Sequence, residues 1–280
     1  MSLELRASET AGIQAIWTAW QSSEQFELEA TINKVDLREF LDTVARLRAV
    51  GMRETPQQPK LNILMPAGLR FTIVGEGAIQ AYCQHGDISR VPYSVQRKER
   101  TKTANDQIDL VDYGARIKLR REIPLDKRNA KVVEILSRWA KSPKRFRFMR
   151  RYTFIGPEGS GLRFDLSMIR SSARDTKGDY IGSETLQMGD ILRRPITYEI
   201  EAELDKTPGT KALESPRALI GGLCLLLQGM QRSYALVRAT VANEILQVIA
   251  ASTGVKAGNF PGPQPATLVR ANISTDLVDN

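Results

Sequence analysis

Two segments of the chain alternate between glutamate and apolar residues, and this alternation constrains the fold more than any other feature. Residues 26–31 are Phe-Glu-Leu-Glu-Ala-Thr, and residues 198–204 are Tyr-Glu-Ile-Glu-Ala-Glu-Leu. Successive side chains of a β-strand point to opposite faces of the sheet. Each segment therefore predicts a strand with one carboxylate face and one apolar face.

The glutamates of these two strands are candidate metal ligands: Glu27 and Glu29 on the first strand, and Glu199, Glu201 and Glu203 on the second. Carboxylates crowded on one face repel one another unless a cation lies among them. Mg²⁺ and Mn²⁺ prefer oxygen ligands of this kind. If the two strands are neighbours, four or five carboxylates converge and form a metal site. The alternative is a polar face exposed to water, which is the usual antiparallel pattern for a single segment.

The composition of the chain excludes several classes of site. Two cysteines (Cys83 and Cys224) and one histidine (His85) cannot form a disulfide framework or a closed Cys/His zinc site, and they favour a reducing compartment. Ser-His-Asp catalysis could use only His85, which lies in a loop-like stretch. The net charge of +8 favours a polyanionic partner such as nucleic acid or phosphate.

Residues 97–151 concentrate the positive charge, with 18 Lys or Arg against 7 Asp or Glu. Here and just beyond, three segments predict strands that carry charge on one face and apolar side chains on the other. The charged faces hold Arg116, Lys118, Arg120 and Glu122 in the first strand, Arg145, Arg147 and Arg151 in the second, and Arg163 and Asp165 in the third.

A barrel accommodates these charged faces better than a sandwich does. A sandwich would place the apolar faces in its core and leave the charges in water. A barrel covered by helices would instead place the charges in its lumen, where they require both a metal and a polyphosphate to neutralise them. Arginine suits the phosphate role because its planar fork donates two hydrogen bonds. We therefore predict an α+β fold, a closed antiparallel β-barrel with flanking helices.

Helical patterns flank the predicted strands. Residues 1–25 predict a helix with Ile13, Ile16, Trp17 and Trp20 on one face, and Asp36 with Glu39 at N3 predicts the capped start of a second. A short helix is predicted at 129–141 and a helical pair at 215–251. Further strands are predicted at 61–65, 69–74, 79–83 and 93–100. Residues 1–252 are predicted to form one domain that includes the helical pair, and residues 253–280 a linker.

The ordered set of charged strands resembles the triphosphate tunnel metalloenzymes, specifically the RNA triphosphatase domain of mRNA capping enzymes from large DNA viruses. The matching segments lie between residues 26 and 205. They are residues 26–29, 69–73, 96–99, 116–122, 147–154, 163–166 and 198–203. Each segment alone is weakly specific, and their order makes the resemblance.

The resemblance implies a role for each charged position. Glu27, Glu29, Glu199 and Glu201 would bind the divalent metal, with Glu203 assisting. The phosphate-binding positions would be Lys98, Arg116, Lys118, Arg147, Arg151 and Arg163. Asp165 would orient one of these through an ion pair, and Glu122 would position the attacking water. Met149 departs from the family pattern, which is often basic there, so we expect that contact to be missing or supplied by Arg145.

Two further features bear on the substrate and on the rest of the protein. The related thiamine-triphosphatase and adenylate-cyclase-like branch carries Glu-x-Glu-x-Lys on its first strand, whereas the fifth position here is Thr31. This difference counts against a small-molecule thiamine substrate. Residues 260–268 resemble the start of a guanylyltransferase domain. That domain needs a Lys-x-Asp-Gly motif, and Lys34-Val35-Asp36 is followed by Leu37, so we expect the domain itself to follow this chain in the complete protein.

The resemblance implies removal of the γ-phosphate from the 5′-triphosphate end of nascent mRNA, with Mg²⁺ or Mn²⁺ as cofactor and a covalently linked guanylyltransferase domain as partner. The alternatives are a general NTP or polyphosphate hydrolase of the same fold and a non-catalytic RNA-binding module. The start of the chain lacks a signal-peptide layout, and its longest apolar run, residues 218–227, is too short to span a bilayer. We expect the protein in the cytoplasm (viral factory) or the virion, with no membrane partner.

Overall fold

Ten antiparallel strands form one sheet in the computed structural model of the chain, and eight of them close into a barrel. The structure describes residues 3–101, 106–157, 160–206 and 216–232, together with residues 236, 238, 244 and 247. The strands are β1 (Phe26–Val35), β2 (Arg53–Thr55), β3 (Lys60–Leu64), β4 (Leu69–Val74), β5 (Ser94–Arg100), β6 (Gln107–Leu110), β7 (Ala115–Pro124), β8 (Arg145–Ile155), β9 (Leu162–Ser171) and β10 (Thr197–Leu204).

The barrel closes because β1 pairs with β10 along one edge and with β7 along the other. The ring runs β1, β10, β9, β8, β3, β4, β5, β7 and back to β1. The two remaining strands extend it, since β2 pairs with the end of β8 and β6 pairs with β7 beyond β5. This arrangement confirms the predicted closed antiparallel barrel and makes the two glutamate strands direct neighbours.

Helices cover the outside of the barrel on two sides. They are α1 (Ala7–Gln21), α2 (Leu37–Ala49), α3 (Glu76–His85), α4 (Ala130–Ser137) and α5 (Arg217–Gln231). One core packs α1, α2 and α5 on the outer face of β1, β7, β9 and β10, with Trp17, Phe40 and Leu223 among its buried side chains. The other core packs α3 and α4 on the outer face of β3 and β4, around Phe71, Tyr82 and Trp139. The apolar faces of the strands therefore point outward, as predicted, and the charged faces point into the lumen.

The helix starts follow the local sequence signals. The side chain of Asp36 accepts a hydrogen bond from the Glu39 amide at 2.7 Å, and the Glu39 carboxylate accepts one from the Asp36 amide at 2.9 Å. This reciprocal capping box begins α2 as predicted. In α1 the predicted apolar face is also confirmed, because Ile13, Ile16 and Trp17 are all buried.

The predicted strand at 79–83 is wrong, because these residues lie in α3, which also contains His85. The chain leaves β4 at Gly75, which has a φ of 96°, a backbone angle that glycine adopts without steric cost. The helix begins at the next residue. Ile79 and Tyr82 are three positions apart and are both buried, which is helical spacing. The short strands β2 and β6 were not predicted from the sequence.

The C-terminal predictions are only partly described. Helix α5 begins at Arg217, close to the predicted start of the helical pair. The predicted second helix lies outside the described residues, apart from a few isolated positions, and the predicted linker at 253–280 lies wholly outside them. Within the described part of the chain, no helix is both long and apolar enough to cross a membrane.

Candidate active site in the barrel lumen

The lumen of the barrel is a cavity of about 1420 Å³ whose wall includes side chains from all eight barrel strands. Of the fourteen residues predicted to form the site, twelve line this cavity. The two that do not are Asp165, which lies buried in the wall, and Arg116. The charged faces predicted separately from each strand thus meet in one chamber.

The acidic wall of the chamber is formed by the neighbouring strands β1 and β10. Glu29 lies directly opposite Glu203 in the strand register, and Thr31 lies opposite Glu201. Glu27 and Glu199 extend the wall at its two ends. Because directly opposite side chains on adjacent strands lie about 5 Å apart at Cβ, this register places Glu29 and Glu203 side by side and spaces the other three glutamates along the two strands.

Basic side chains from the other barrel strands surround the acidic wall, two of them on the directly adjacent strands β7 and β9, and every glutamate of that wall has a basic partner within 4 Å. Arg147 pairs with Glu199, Arg151 lies 3.6 Å from Glu201, and Arg163 lies 2.5 Å from Glu203. On the other side, Lys98 lies 3.3 Å from Glu27 and Lys118 lies 3.6 Å from Glu29. The acidic wall and the basic side chains around it therefore neutralise each other within the chamber.

Asp165 fixes two of these arginines. Its Oδ2 accepts a hydrogen bond from Arg151 at 2.5 Å and one from Arg163 at 3.2 Å, while its Oδ1 accepts one from Thr153 at 2.7 Å. Asp165 is only 2% exposed, so both of its oxygens depend on these partners. This geometry places Asp165 behind Arg151 and Arg163, where it holds both guanidinium groups in place.

Glu122 is held by a cluster of donors on β4 and β5. Arg70 donates to its Oε1 at 2.7 Å, Gln96 donates to its Oε2 at 2.5 Å, and Lys98 lies 3.1 Å away. Sequence reasoning missed Arg70 and Gln96 as site residues. A signal was present for Arg70, since residues 69–74 alternate, with Arg70 and Thr72 on the face opposite to the buried Phe71.

Neither Arg116 nor Arg145 lies in the central part of the chamber. The Arg116 guanidinium donates to Asp109 on β6 at 2.5 Å, and the residue does not line the cavity. Arg145, the first residue of β8, lines the cavity near one of its ends. Met149, also on the lumen face of β8, is buried, and its sulfur lies 3.5 Å from the Arg151 guanidinium.

Three carboxylates of the acidic wall, those of Glu27, Glu201 and Glu203, resist ionisation. Burial raises the pKa of Glu27 to about 8; Lys98 opposes this shift, and repulsion from Glu122 and Glu203 adds to it. Burial, with repulsion from Glu29 and Glu199, raises the pKa of Glu201 to about 7. Burial also raises the pKa of Glu203. A cation placed among these groups would remove the repulsion and favour their ionised forms.

The pKa of Glu122 shifts in the opposite direction from the pKa values of Glu27, Glu201 and Glu203. Burial opposes its ionisation, but Lys98 and Arg70 outweigh burial and hold its pKa below the usual value. Lys98 is buried as well, yet Glu29, Glu27 and Glu122 raise its pKa, so it stays protonated. Near neutral pH Glu122 therefore stays ionised, in the same chamber as Glu27 and Glu201, whose raised pKa values keep them partly protonated.

The donor chemistry of the acidic wall fits a hard divalent cation, since all five candidate ligands are carboxylates whose mutual repulsion a cation would relieve. Among the described residues, however, no three acidic, histidine or cysteine side chains are grouped closely enough to hold a metal ion in their present rotamers. Their pairing with lysine and arginine accounts for this, because each carboxylate is turned toward its basic partner.

The fold and the site together define a tunnel-type β-barrel whose lumen holds an acidic wall surrounded by basic side chains. It is the fold of the RNA triphosphatase domain of the mimivirus mRNA capping enzyme. One crystal structure of that domain, from a trifunctional enzyme, matches with a TM-score of 0.55 at 15% sequence identity, covering 80% of this chain and 99% of that chain.

Two further structures of the mimivirus capping enzyme triphosphatase match as well. The monoclinic form has a TM-score of 0.55 at 14% identity, covering 81% of this chain and 100% of that chain. The triclinic form has a TM-score of 0.57 at 17% identity, covering 81% and 98%. No protein-family model and no curated protein matches the sequence. At these identities the likeness establishes the fold, and function has to be argued from the site.

Proposed function

We propose that this chain is a metal-dependent polynucleotide 5′-triphosphatase that removes the γ-phosphate from the 5′ end of nascent RNA during cap formation. The observation that carries the proposal is the chamber itself, in which five glutamates on β1 and β10 are paired with five basic side chains on β5, β7, β8 and β9. A triphosphate with its cation matches this pattern of opposite charges. A surface that only bound RNA backbone would need no buried carboxylates.

The basic residues bind and orient the phosphates. Arg147, Arg151 and Arg163 each present a planar guanidinium that can donate to two phosphate oxygens, whereas Lys98 and Lys118 act as point charges. Asp165 holds Arg151 and Arg163 in fixed rotamers, which reduces the entropy lost when the phosphate binds. When no substrate is bound, the same cations neutralise the acidic wall.

The acidic wall is the part of the site that would hold the cation, with Glu27, Glu29, Glu199, Glu201 and Glu203 as its ligands. When bound, the Mg²⁺ or Mn²⁺ ion would supply charge stabilisation at the phosphoryl oxygens. Glu122 stays ionised near neutral pH and faces the same chamber, so it can accept a hydrogen bond from a water and align it with the γ-phosphorus.

The direct test is release of inorganic phosphate from 5′-triphosphate RNA with Mg²⁺, with Mn²⁺ and with a chelator. We expect the chelator to abolish release and the product to be a 5′-diphosphate end. RNA binding without phosphate release in the presence of either metal would instead support a non-catalytic RNA-binding module.

A general NTP or polyphosphate hydrolase is the second candidate, because the central chamber is lined by groups that contact phosphate. Rates on RNA, ATP and tripolyphosphate distinguish the two candidates. As part of the main proposal, a linked guanylyltransferase domain would use the diphosphate end, and the reaction would take place in the cytoplasm (viral factory) or the virion.

A further inference from the structure

One end of the lumen differs in chemistry from the central chamber. It is lined by residues 32–35, 171–174, 180 and 194–198, and no Asp or Glu is among these described residues. The basic residues at this end are Lys34, Arg174 and Arg194, which belong to those ranges, and Arg145, which lines the cavity beside them. The aromatic residues among the described lining, Tyr180 and Tyr198, both lie at this end. We call Lys34, Arg145, Arg174, Tyr180 and Arg194 the basic rim.

Tyr180 and Arg174 form a stacked pair on a hairpin at the rim. The Arg174 guanidinium carbon lies 3.9 Å from the centre of the Tyr180 ring, and the same guanidinium donates to the Tyr180 hydroxyl at 2.7 Å. It also donates to the Gly178 carbonyl at 2.6 Å, at the turn of the hairpin, where φ of Gly178 is 87°. Tyr180 is held by these contacts and yet remains 37% exposed beside the cavity.

Arg194 is held at the rim through its backbone rather than through its side chain. Arg170 on β9 donates to the Leu192 and Arg194 carbonyls at 2.5 and 2.6 Å, which anchors the turn before β10. The Nε of Arg194 is buried and has no hydrogen-bond partner among the described residues. With its backbone anchored and its side chain lining the cavity, Arg194 is placed where its guanidinium can meet an anion that enters the lumen.

Lys34 reaches the rim through a break in strand pairing. The register between β1 and β10 shifts between Ile32 and Val35, and Lys34 adopts a left-handed backbone with φ of 55°. This conformation costs free energy for a residue other than glycine, and such strain concentrates at functional sites. Bulges redirect side chains in this way.

The geometry points to this basic rim as the entrance through which the 5′ end of RNA reaches the chamber, an inference that rests on the proposed function. The backbone phosphates of the first nucleotides would bind Lys34, Arg174 and Arg194, and a base near the 5′ end would stack on Tyr180. Positive charge interleaved with an aromatic platform is how proteins hold single-stranded nucleic acid. Glu29 and Lys34 lie five residues apart on β1, which is roughly 16 Å of strand, so the triphosphate can occupy the chamber while its nucleoside lies at the rim.

The test compares substrates that share the triphosphate and differ in whether a nucleotide chain is attached to it. We expect Tyr180→Ala and Arg194→Ala each to lower kcat/KM on a 5′-triphosphate ten-nucleotide RNA by about tenfold relative to kcat/KM on tripolyphosphate. Tyr180→Phe keeps the ring and should retain the wild-type ratio. Arg53→Ala, an exposed arginine on β2 opposite Ile155 at the other end of β8, is the matched control and should leave the ratio unchanged.

A binding measurement keeps this inference separate from the proposed activity. Fluorescence anisotropy of the same labelled RNA needs no turnover, and the rim variants should weaken binding about tenfold while Arg53→Ala does not. If the wild type fails to hydrolyse RNA but the rim variants still lose binding, the proposed function fails and the rim stands. If Tyr180→Ala and Arg194→Ala keep both the wild-type ratio and the wild-type affinity, the rim is not the RNA entrance.

Discussion

Glu29 of β1 and Glu203 of β10 lie directly opposite each other in the strand register, and both face the lumen of the barrel. Two carboxylates at such a position repel each other unless positive charge lies close by. In this structure Lys118 and Arg163 supply that charge from either side of the pair, Lys118 on β7 beside Glu29 and Arg163 on β9 beside Glu203. A cation bound next to this pair would relieve its repulsion directly.

Removing one carboxylate of the acidic wall should abolish metal-dependent turnover. Glu29→Gln and Glu201→Gln keep the shape of the side chain and remove its charge, so we expect at least about a 100-fold loss in kcat. Phosphate release from triphosphate RNA at saturating metal measures this loss. Glu54→Gln, at an exposed position on β2, is the matched control. Wild-type rates in both lumen variants would contradict the metal assignment.

Removing a phosphate-facing arginine should impair the reaction at low substrate concentration. We expect Arg147→Ala and Arg163→Ala each to lower kcat/KM by about 100-fold, the effect typical of losing one preorganised donor to a developing charge. Lysine at either position should restore only part of the activity, because it lacks the planar fork. Steady-state kinetics well below KM give the comparison, with Arg53→Ala as control. Unchanged rates would remove these residues from the site.

Asp165 should act through the arginines that it holds. Asp165→Asn keeps the contact with Thr153 but removes the charge that pairs with Arg151 and Arg163, so we expect a destabilisation of about 3 kcal/mol. The melting temperature should fall by roughly 6–12 °C. Below the melting range, KM should rise more than kcat falls. In a double-mutant cycle, Arg163→Ala should cost less in the Asp165→Asn background, and additive effects would show that the two residues act independently.

The metal-free protein should lose stability as the pH rises from 5 to 8.5. The pKa values of Glu27 and Glu201 are about 8 and 7 in the folded chain, against 4.5 ordinarily. Between these values the folded chain binds more protons than the unfolded chain, so its stability falls with rising pH. We expect a loss of about 2 kcal/mol, or roughly 5 °C in melting temperature, after allowing for partial solvent screening.

Two variants and one addition check the origin of this pH dependence. Glu27→Gln removes one titrating group and should flatten the dependence, whereas Glu54→Gln should not. Mg²⁺ should raise the melting temperature more at pH 8 than at pH 6, because protons compete with it for the same carboxylates. A metal-free melting temperature that rises between pH 5 and 8.5 would contradict the assignment.

The parts of the fold that were predictable are those in which polarity alternates along a strand. The two faces of β1, β7, β8, β9 and β10 could be assigned because charged and apolar residues alternate along each strand. Placing the charged faces in the lumen and the apolar faces outside reverses the usual polarity of a barrel. The capped start of α2 at Asp36 was equally predictable from the local sequence. The segment at Ile79 failed because a short apolar run does not distinguish a strand from a helix.

The contacts that could not be predicted depend on register. Arg70 meets Glu122 only because β5 lies between β4 and β7 with a particular offset, which local patterns do not encode. Arg116 shares a face with Lys118, yet it pairs with Asp109 because the short strand β6 lies beside it. A three- or four-residue strand has too few residues to show an alternation of its own.

The position of β10 as the last strand of the ring has a consequence for how the protein is made. Its partners β1 and β9 lie far apart in the chain, so a ribosome-bound chain that has emerged only as far as β9 has two open sheet edges and lacks three of the five glutamates. Contacts of such long sequence separation form slowly, and open edges invite pairing with other chains. Barrel closure and assembly of the acidic wall are therefore one late event, and a truncated translation product has neither a sealed sheet nor a complete site.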